Sequence, residues 1–336
     1  MTAAGIRELM RLLAGNSPAG VAGVLIAAAT ALALCRNARC AGGFIPQQVV
    51  DTSEQDYYAN AYALIDLSPK DLLSALPELQ GLEPAADQQQ LPRMLGALGK
   101  SVDQSFQKFT RIVAKEQITN EQCDPGGRVE STKHYAFNYL ILSRYESGIE
   151  RVDEYRVDAQ GKPFLGVEGG IPFSAGFASL WGLFAIGNQS GSRFRYLGVQ
   201  KSGGQSTLVI GFAQKPGWAT IVGQVNIKGE AVLLMYQGVA WIDPATYRIL
   251  KLRVDLLKPR LDVKLERQTT EIRFGAVRLS DAASTALWVP LQVTVSTVWN
   301  GQLFRDQHLY SNYQLPASTT KIIGDGPDST RTPKPN

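Results

Sequence analysis

Tyr135-Ala-Phe-Asn-Tyr-Leu-Ile-Leu-Ser-Arg-Tyr145, turned by Ser147-Gly148 into Ile149-Glu-Arg-Val-Asp-Glu-Tyr-Arg-Val157, decides the fold class. Its odd positions carry Tyr, Phe, Tyr, Ile, Ser and Tyr, a period of two that suits a half-buried strand. A small-residue turn between two such runs makes a β-hairpin. The same pattern continues downstream. Phe194 to Val199 and Leu208 to Phe212 flank Lys201-Ser-Gly-Gly204, while Val232 to Ile242 and Arg248 to Leu256 flank Asp243-Pro-Ala-Thr246. The last of these runs sets Leu250, Leu252, Val254 and Leu256 on one face and Lys251, Arg253 and Asp255 on the other. With Ile112 to Ile118, Thr270 to Ala276, Leu287 to Val298 and Leu303 to Tyr313, about ten strands follow one another through short turns, which is an antiparallel meander. The alternation implies one covered face and one wet face.

Helices precede the strands. Asp56 to Leu64 suggests a short amphipathic element. Ser68-Pro69 with Asp71 supplies an N-cap, a proline at the first helical position and an early carboxylate, and opens a helix through Leu72, Leu73 and Leu76. A second helix is expected from near Asp87, because Leu91, Leu95, Leu98, Val102, Phe106 and Phe109 recur at three- and four-residue steps. The expected fold is therefore α+β and mainly antiparallel: a curved sheet with helices on its concave face.

The chain has 336 residues, 44% of them hydrophobic and 19% charged, a globular balance. Its formal charge is +4, but residues 1–42 hold four arginines against the single acid Glu8, so the rest is nearly neutral. That leaves no basic footprint for a nucleic-acid backbone. The locally basic run Lys251 to Arg260 alternates with apolar residues and reads as the solvated outer face of a strand.

Arg7 and Arg11, a polar break at Asn16-Ser-Pro18 and a 16-residue, nearly all apolar stretch from Ala19 to Leu34 read as a secretory leader. Spanning a bilayer takes about 20 apolar residues, so retention as an anchor would borrow Ala14 to Pro18. Leu32-Ala-Leu-Cys35 resembles a lipobox with Leu34 where a small residue belongs; cleavage near Cys40-Ala-Gly-Gly43 is the plainer choice. The expected organisation is a leader or anchor at 1–42, one β-rich domain at 43–315 and a disordered tail at 316–336. The protein is then exported, periplasmic or secreted, with membrane contact through its N-terminal segment. The mature domain keeps Cys123 alone, in the turn-rich Asn120-Glu-Gln-Cys-Asp-Pro-Gly-Gly127, and so has no internal disulfide.

The sequence contains no nucleophile elbow, phosphate loop, dinucleotide fingerprint or zinc helix. Two histidines and three cysteines leave no metal or cofactor set. Asp306 and His308 point to one face of a strand, which allows a general base oriented by a carboxylate. With no nucleophile beside it, His308, like His134, reads as a solvent-facing strand residue, and no catalytic residue is assigned.

The most informative segment is Gly169 to Gly187. No charge falls between Glu168 and Arg193, and Phe173, Phe177, Leu180, Trp181 and Phe184 form a stripe at helical spacing inside a strand-rich chain. A core helix plugging the concave side explains the stripe. A lid over an apolar ligand cavity explains it too.

Gly238-Val-Ala-Trp-Ile-Asp-Pro-Ala-Thr-Tyr-Arg-Ile-Leu-Lys-Leu252 contains a Trp-Ile-Asp-x-x-Thr-x-x-Ile turn similar to one in outer-membrane lipoprotein-sorting proteins of the LolA-like fold. Pro77-Glu-Leu-Gln-Gly-Leu-Glu83, Phe137-x-Tyr-Leu-Ile-Leu142 and Glu154-Tyr-Arg156 look closer to uncharacterised exported relatives of that fold. The resemblance, over about residues 70 to 315, implies an acyl chain held in a helix-capped half-barrel, with lipid or lipoprotein as partner. The readings are then a non-enzymatic carrier of a hydrophobic ligand lined by the 173–184 stripe, a structural or interaction module with a packed interior, or, least favoured, an enzyme of unknown class.

Overall fold

The computed structural model describes residues 52–315 except 109–110, 147–148, 162–163, 165–166, 169–170, 173–176, 203, 220–222, 228–229 and 280–285. The expected leader at 1–42 and tail at 316–336 lie outside them. Among the described residues no helix is long and apolar enough to cross a membrane.

Eleven strands form one open antiparallel sheet, as the alternation requires. The chain enters through α1 (Thr52–Ala59) and α2 (Pro69–Ala75), then a short edge strand β1 (Leu82–Pro84) and α3 (Leu91–Gln107). β2 (Arg111–Cys123), β3 (Val129–Glu146) and β4 (Ile149–Val157) follow as hairpins. After the small ribbon β5 (Val167–Glu168) and β6 (Ile171–Pro172) comes α4 (Ala178–Trp181), and then β7 (Ser192–Ser202) and β8 (Gln205–Gln214). A second ribbon, β9 (Gly223–Ile227) and β10 (Glu230–Leu234), precedes β11 (Tyr236–Ile242), β12 (Ile249–Leu256), β13 (Leu265–Arg278), β14 (Ala286–Trp299) and β15 (Gln302–Gln314). The large sheet runs β1-β7-β8-β11-β12-β13-β14-β15-β2-β3-β4. It is two meanders joined where β15 pairs with β2.

That order dictates what crosses the inside. β4 ends at one edge of the sheet and β7 lies next to the other, so residues 158–191 must traverse its full width. Strands β8 and β4 stand eight places apart, about 38 Å in a flat sheet. Yet Phe177 donates its N–H to Glu154 of β4, and the Phe184 ring lies 5.4 Å from Phe212 of β8. Seven residues span at most about 25 Å even when fully extended. The sheet is therefore strongly curved, and the crossing segment lies in its hollow side together with α3. Met94, Leu98, Val102 and Phe106 of α3 share one buried cluster with that segment and with the inward residues of the strands from β8 round to β4.

Local chemistry places the element boundaries. Ser68 accepts the Asp71 N–H at 3.2 Å and caps α2, with Pro69 in its first turn. α3 starts at Leu91, later than Asp87, because the Gln88 side chain mimics a strand partner: its amide donates to the Tyr196 carbonyl and its oxygen accepts the Tyr196 N–H. The turn after β11 is fastened by Asp243, which accepts from Ala245 N and from the Thr246 hydroxyl. A bulge beside it pairs Trp241 with Lys251 but Ile242 with Ile249, so Leu250 is the extra residue and Ile249 takes the inward place.

Four expectations need correction. The outer face is not wet throughout: α2 packs on Leu197, Val209, Val239 and Trp241, and α1 meets Ile65, Ala213 and Met235, so strands β8 and β11 are buried on both faces at that end. Val232 to Ile242 is not one strand but two, split at Met235 into β10 and β11. Cys123 is not a loop thiol; it ends β2 and is fully buried. Arg253, expected on a solvated face, is half-buried and paired with Glu78 and Asp255.

Candidate functional site

The hollow face of the sheet is divided. From β8 to β14 its inward residues are mostly apolar, among them Ile210, Phe212, Leu252, Ile272, Phe274 and Val293. From β15 to β4 polar groups take the same face: Asp306, His308 and Tyr310 on β15, Glu116 and Asn120 on β2, Tyr139 on β3, Glu154 and Arg156 on β4, all buried. Strand register assembles them, since Tyr310 stands opposite Glu116, Asp306 opposite Asn120 and Tyr139 opposite Arg156.

Glu116 is the hub. Arg156 grips it with Nε at 2.5 Å and Nη2 at 2.9 Å, Tyr310 donates its hydroxyl at 2.8 Å, and His308 Nδ1 lies 2.9 Å from the same carboxylate. Burial alone would raise the Glu116 carboxyl, but the Arg156 charge and the His308 hydrogen bond outweigh it and hold the group down to about 2. Burial lowers His308, against the pull of Glu116. The imidazole is therefore neutral near pH 7, with its proton on Nδ1 facing the carboxylate. Asp306 is bonded to Asn120, and burial pushes its carboxyl up to about 6.

Glu154 fastens the crossing segment. Its carboxylate accepts the N–H groups of Phe177 (2.5 Å), Ala178 (3.0 Å) and Ser179 (2.8 Å) at the start of α4, and also the Tyr139 hydroxyl, whose oxygen lies 3.3 Å from the Phe177 N–H. Burial raises this carboxyl, and the backbone donors oppose the rise. Farther along, Gln189 donates to the Leu95 carbonyl of α3 and Asn188 to the Gly182 carbonyl.

Of the residues singled out from sequence, Phe173 lies outside the described residues. Phe177, Leu180, Trp181 and Phe184 are brought together, each at most 7% exposed, in the cluster inside the sheet. Trp181 packs between Phe106 at 4.8 Å and Phe274 at 5.3 Å, and Phe184 between Phe194 and Phe212. The helix that carries them is shorter than the spacing suggests. α4 has one turn, ends at Gly182 and passes into 3₁₀ turns at Gly182–Phe184 and Ile186–Gly191.

His134 is exposed, as expected, but His308 is fully buried, and the carboxylate that orients it is Glu116 and not Asp306. Residues two apart along a strand sit about 7 Å from each other, whereas a paired strand brings side chains closer. The polar network as a whole escaped the sequence reading, because β2 and β15 are about 190 residues apart in sequence. Among the described residues no hydroxyl or thiol hydrogen-bonds His308 Nε2, and no three side chains converge as metal ligands.

No protein-family model matches the chain, and no curated protein does. In fold the chain is similar to a putative outer membrane lipoprotein-sorting protein domain from Vibrio parahaemolyticus. The two share 13% identity over 66% of this chain and 94% of that one, with a TM-score of 0.35. A DUF1329 family protein from Desulfovibrio piger is similar at 12% identity, covering 68% and 93%, with a TM-score of 0.39. The Mycobacterium tuberculosis lipoprotein LppX is similar at 10% identity, covering 67% and 97%, with a TM-score of 0.24. The first of these is of the lipoprotein-sorting kind that the sequence motifs resemble.

Proposed function

We propose that this is an exported, non-enzymatic carrier that holds an acyl chain of a lipid or lipoprotein in its curved sheet, beneath residues 177–191. The observation that carries this reading is how that segment is built. Phe177, Leu180, Trp181 and Phe184 occupy the inside of the sheet, yet their backbone is one helical turn and two 3₁₀ turns held at the start by the side chains of Glu154 and Tyr139. So short a segment has little hydrogen-bonded structure of its own. Lifting it uncovers Phe106, Phe212 and Phe274, a concave apolar surface of the kind that takes a hydrocarbon chain. The leader-like run from Ala19 to Leu34 supports export and, if retained, membrane contact.

The test is to titrate an environment-sensitive fluorescent acyl probe onto the purified chain and to analyse co-purifying lipid by mass spectrometry. A carrier binds the probe saturably, with a change in Trp181 emission that Trp181→Phe removes. No saturable binding and no co-purified lipid would refute it.

The near-complete burial of the four side chains favours a second reading, a structural or interaction module with a filled interior. In that case Trp181→Ala costs about 3 to 5 kcal/mol of stability and no probe binds.

A further inference from the structure

The inside of the sheet is greasy at one end and hydrogen-bonding at the other, so a ligand matched to it is an amphiphile. We propose that His308 Nε2 accepts a hydrogen bond from the head of the carried molecule, and that the preferred cargo ends in a neutral donor, such as a hydroxyl, and not in a free carboxylate. The proposal rests on the carrier reading.

His308 is fully buried, and its Nδ1 is committed to Glu116. Because Glu116 is a carboxylate that also accepts from Arg156 and Tyr310, the proton between them sits on Nδ1, which leaves Nε2 with an acceptor lone pair. That nitrogen has no hydrogen-bond partner among the described residues. Buried polar atoms are nearly always satisfied, and the exceptions mark sites completed by something else. The Phe177 ring packs against the imidazole at 4.8 Å and 70°. Phe177 also belongs to the segment that would lift, so the movement that bares the apolar surface bares the imidazole as well.

Charge selects the head. Glu116 lies against the imidazole, Asp306 sits two residues away on the same strand and is ionised at pH 8, and Arg156 is already paired with Glu116. A carboxylate brought here adds a like charge in a low-dielectric interior, whereas a hydroxyl adds none and supplies the donor that Nε2 lacks.

The experiment displaces a bound fluorescent acyl probe with oleyl alcohol, its methyl ether and oleate, at pH 8. The alcohol should displace the probe at about tenfold lower concentration than either competitor. His308→Asn keeps an N–H toward Glu116 but removes the Nε2 acceptor. It should abolish the preference for alcohol over ether, with a melting curve to show that the variant folds. In the unaltered protein, the ¹⁵N resonance of His308 Nε2 should move with the alcohol and not with the ether. Equal potency of the three competitors, a preference surviving in the variant, or an Nε2 resonance indifferent to the alcohol overturns the assignment while leaving the carrier intact. Failure of the probe to bind at all overturns both.

Discussion

Asp306 is a buried carboxyl whose main partner is the neutral Asn120 side chain. Its raised value, about 6, has a definite sign for stability. Between the unfolded value near 4 and about 6 the folded chain holds a proton that the unfolded chain has lost. The associated stability is full below about pH 4 and lost as pH rises through 6. Asp306→Asn removes that loss, so the variant should be more stable than the parent at pH 8, by up to about 3 kcal/mol, and equal to it near pH 4. Denaturant melts of both proteins across this range check it; a difference independent of pH contradicts it. Measuring the difference between the two proteins cancels the opposite contributions of Glu116 and His308, whose lowered values favour folding above their unfolded ones. None of this was visible in the sequence, where Asp306 and His308 read as neighbours on a wet strand. Alternation reports which residues share a face, but not which face is inside.

At the scale of elements, α3 was legible because its amphipathic period runs over the whole helix, and the Asp243–Thr246 turn because its side chains bond their own backbone. The stripe from Phe177 to Phe184 was legible as buried but not as irregular. Glycine at 182 and the pull of two distant strands on a short segment break a pattern that spacing alone renders as a continuous helix. α3 and this segment meet at Gly99, where an added Cβ would lie 2.7 Å from Ile186 and 2.6 Å from Gln189. Gly96, one turn earlier, faces open space. Gly96→Ala should therefore stabilise the protein by about 0.5 to 1 kcal/mol, the ordinary helix-propensity gain. Gly99→Ala should destabilise it despite the same gain, and should speed amide exchange at residues 184–189. Equal effects of the two substitutions would mean that the segment does not press on α3.

At the scale of the molecule, the class of fold followed from the alternating runs, but the strand order did not. β15 closes onto β2 and so sends the connection from β4 to β7 across the hollow side. That route puts an aromatic segment where a ligand would lie, and it joins an apolar half to a polar quarter on one continuous surface. The direct measurement is photo-crosslinking with a fatty alcohol carrying a diazirine in mid-chain, followed by peptide mapping of the labelled sites. Saturable labelling of residues 177–184, of α3 from Leu98 to Phe106 and of Phe274 is the expected result. Labelling confined to exposed outer residues such as Tyr62 and Trp218, or none that saturates, would contradict an acyl chain held inside the sheet.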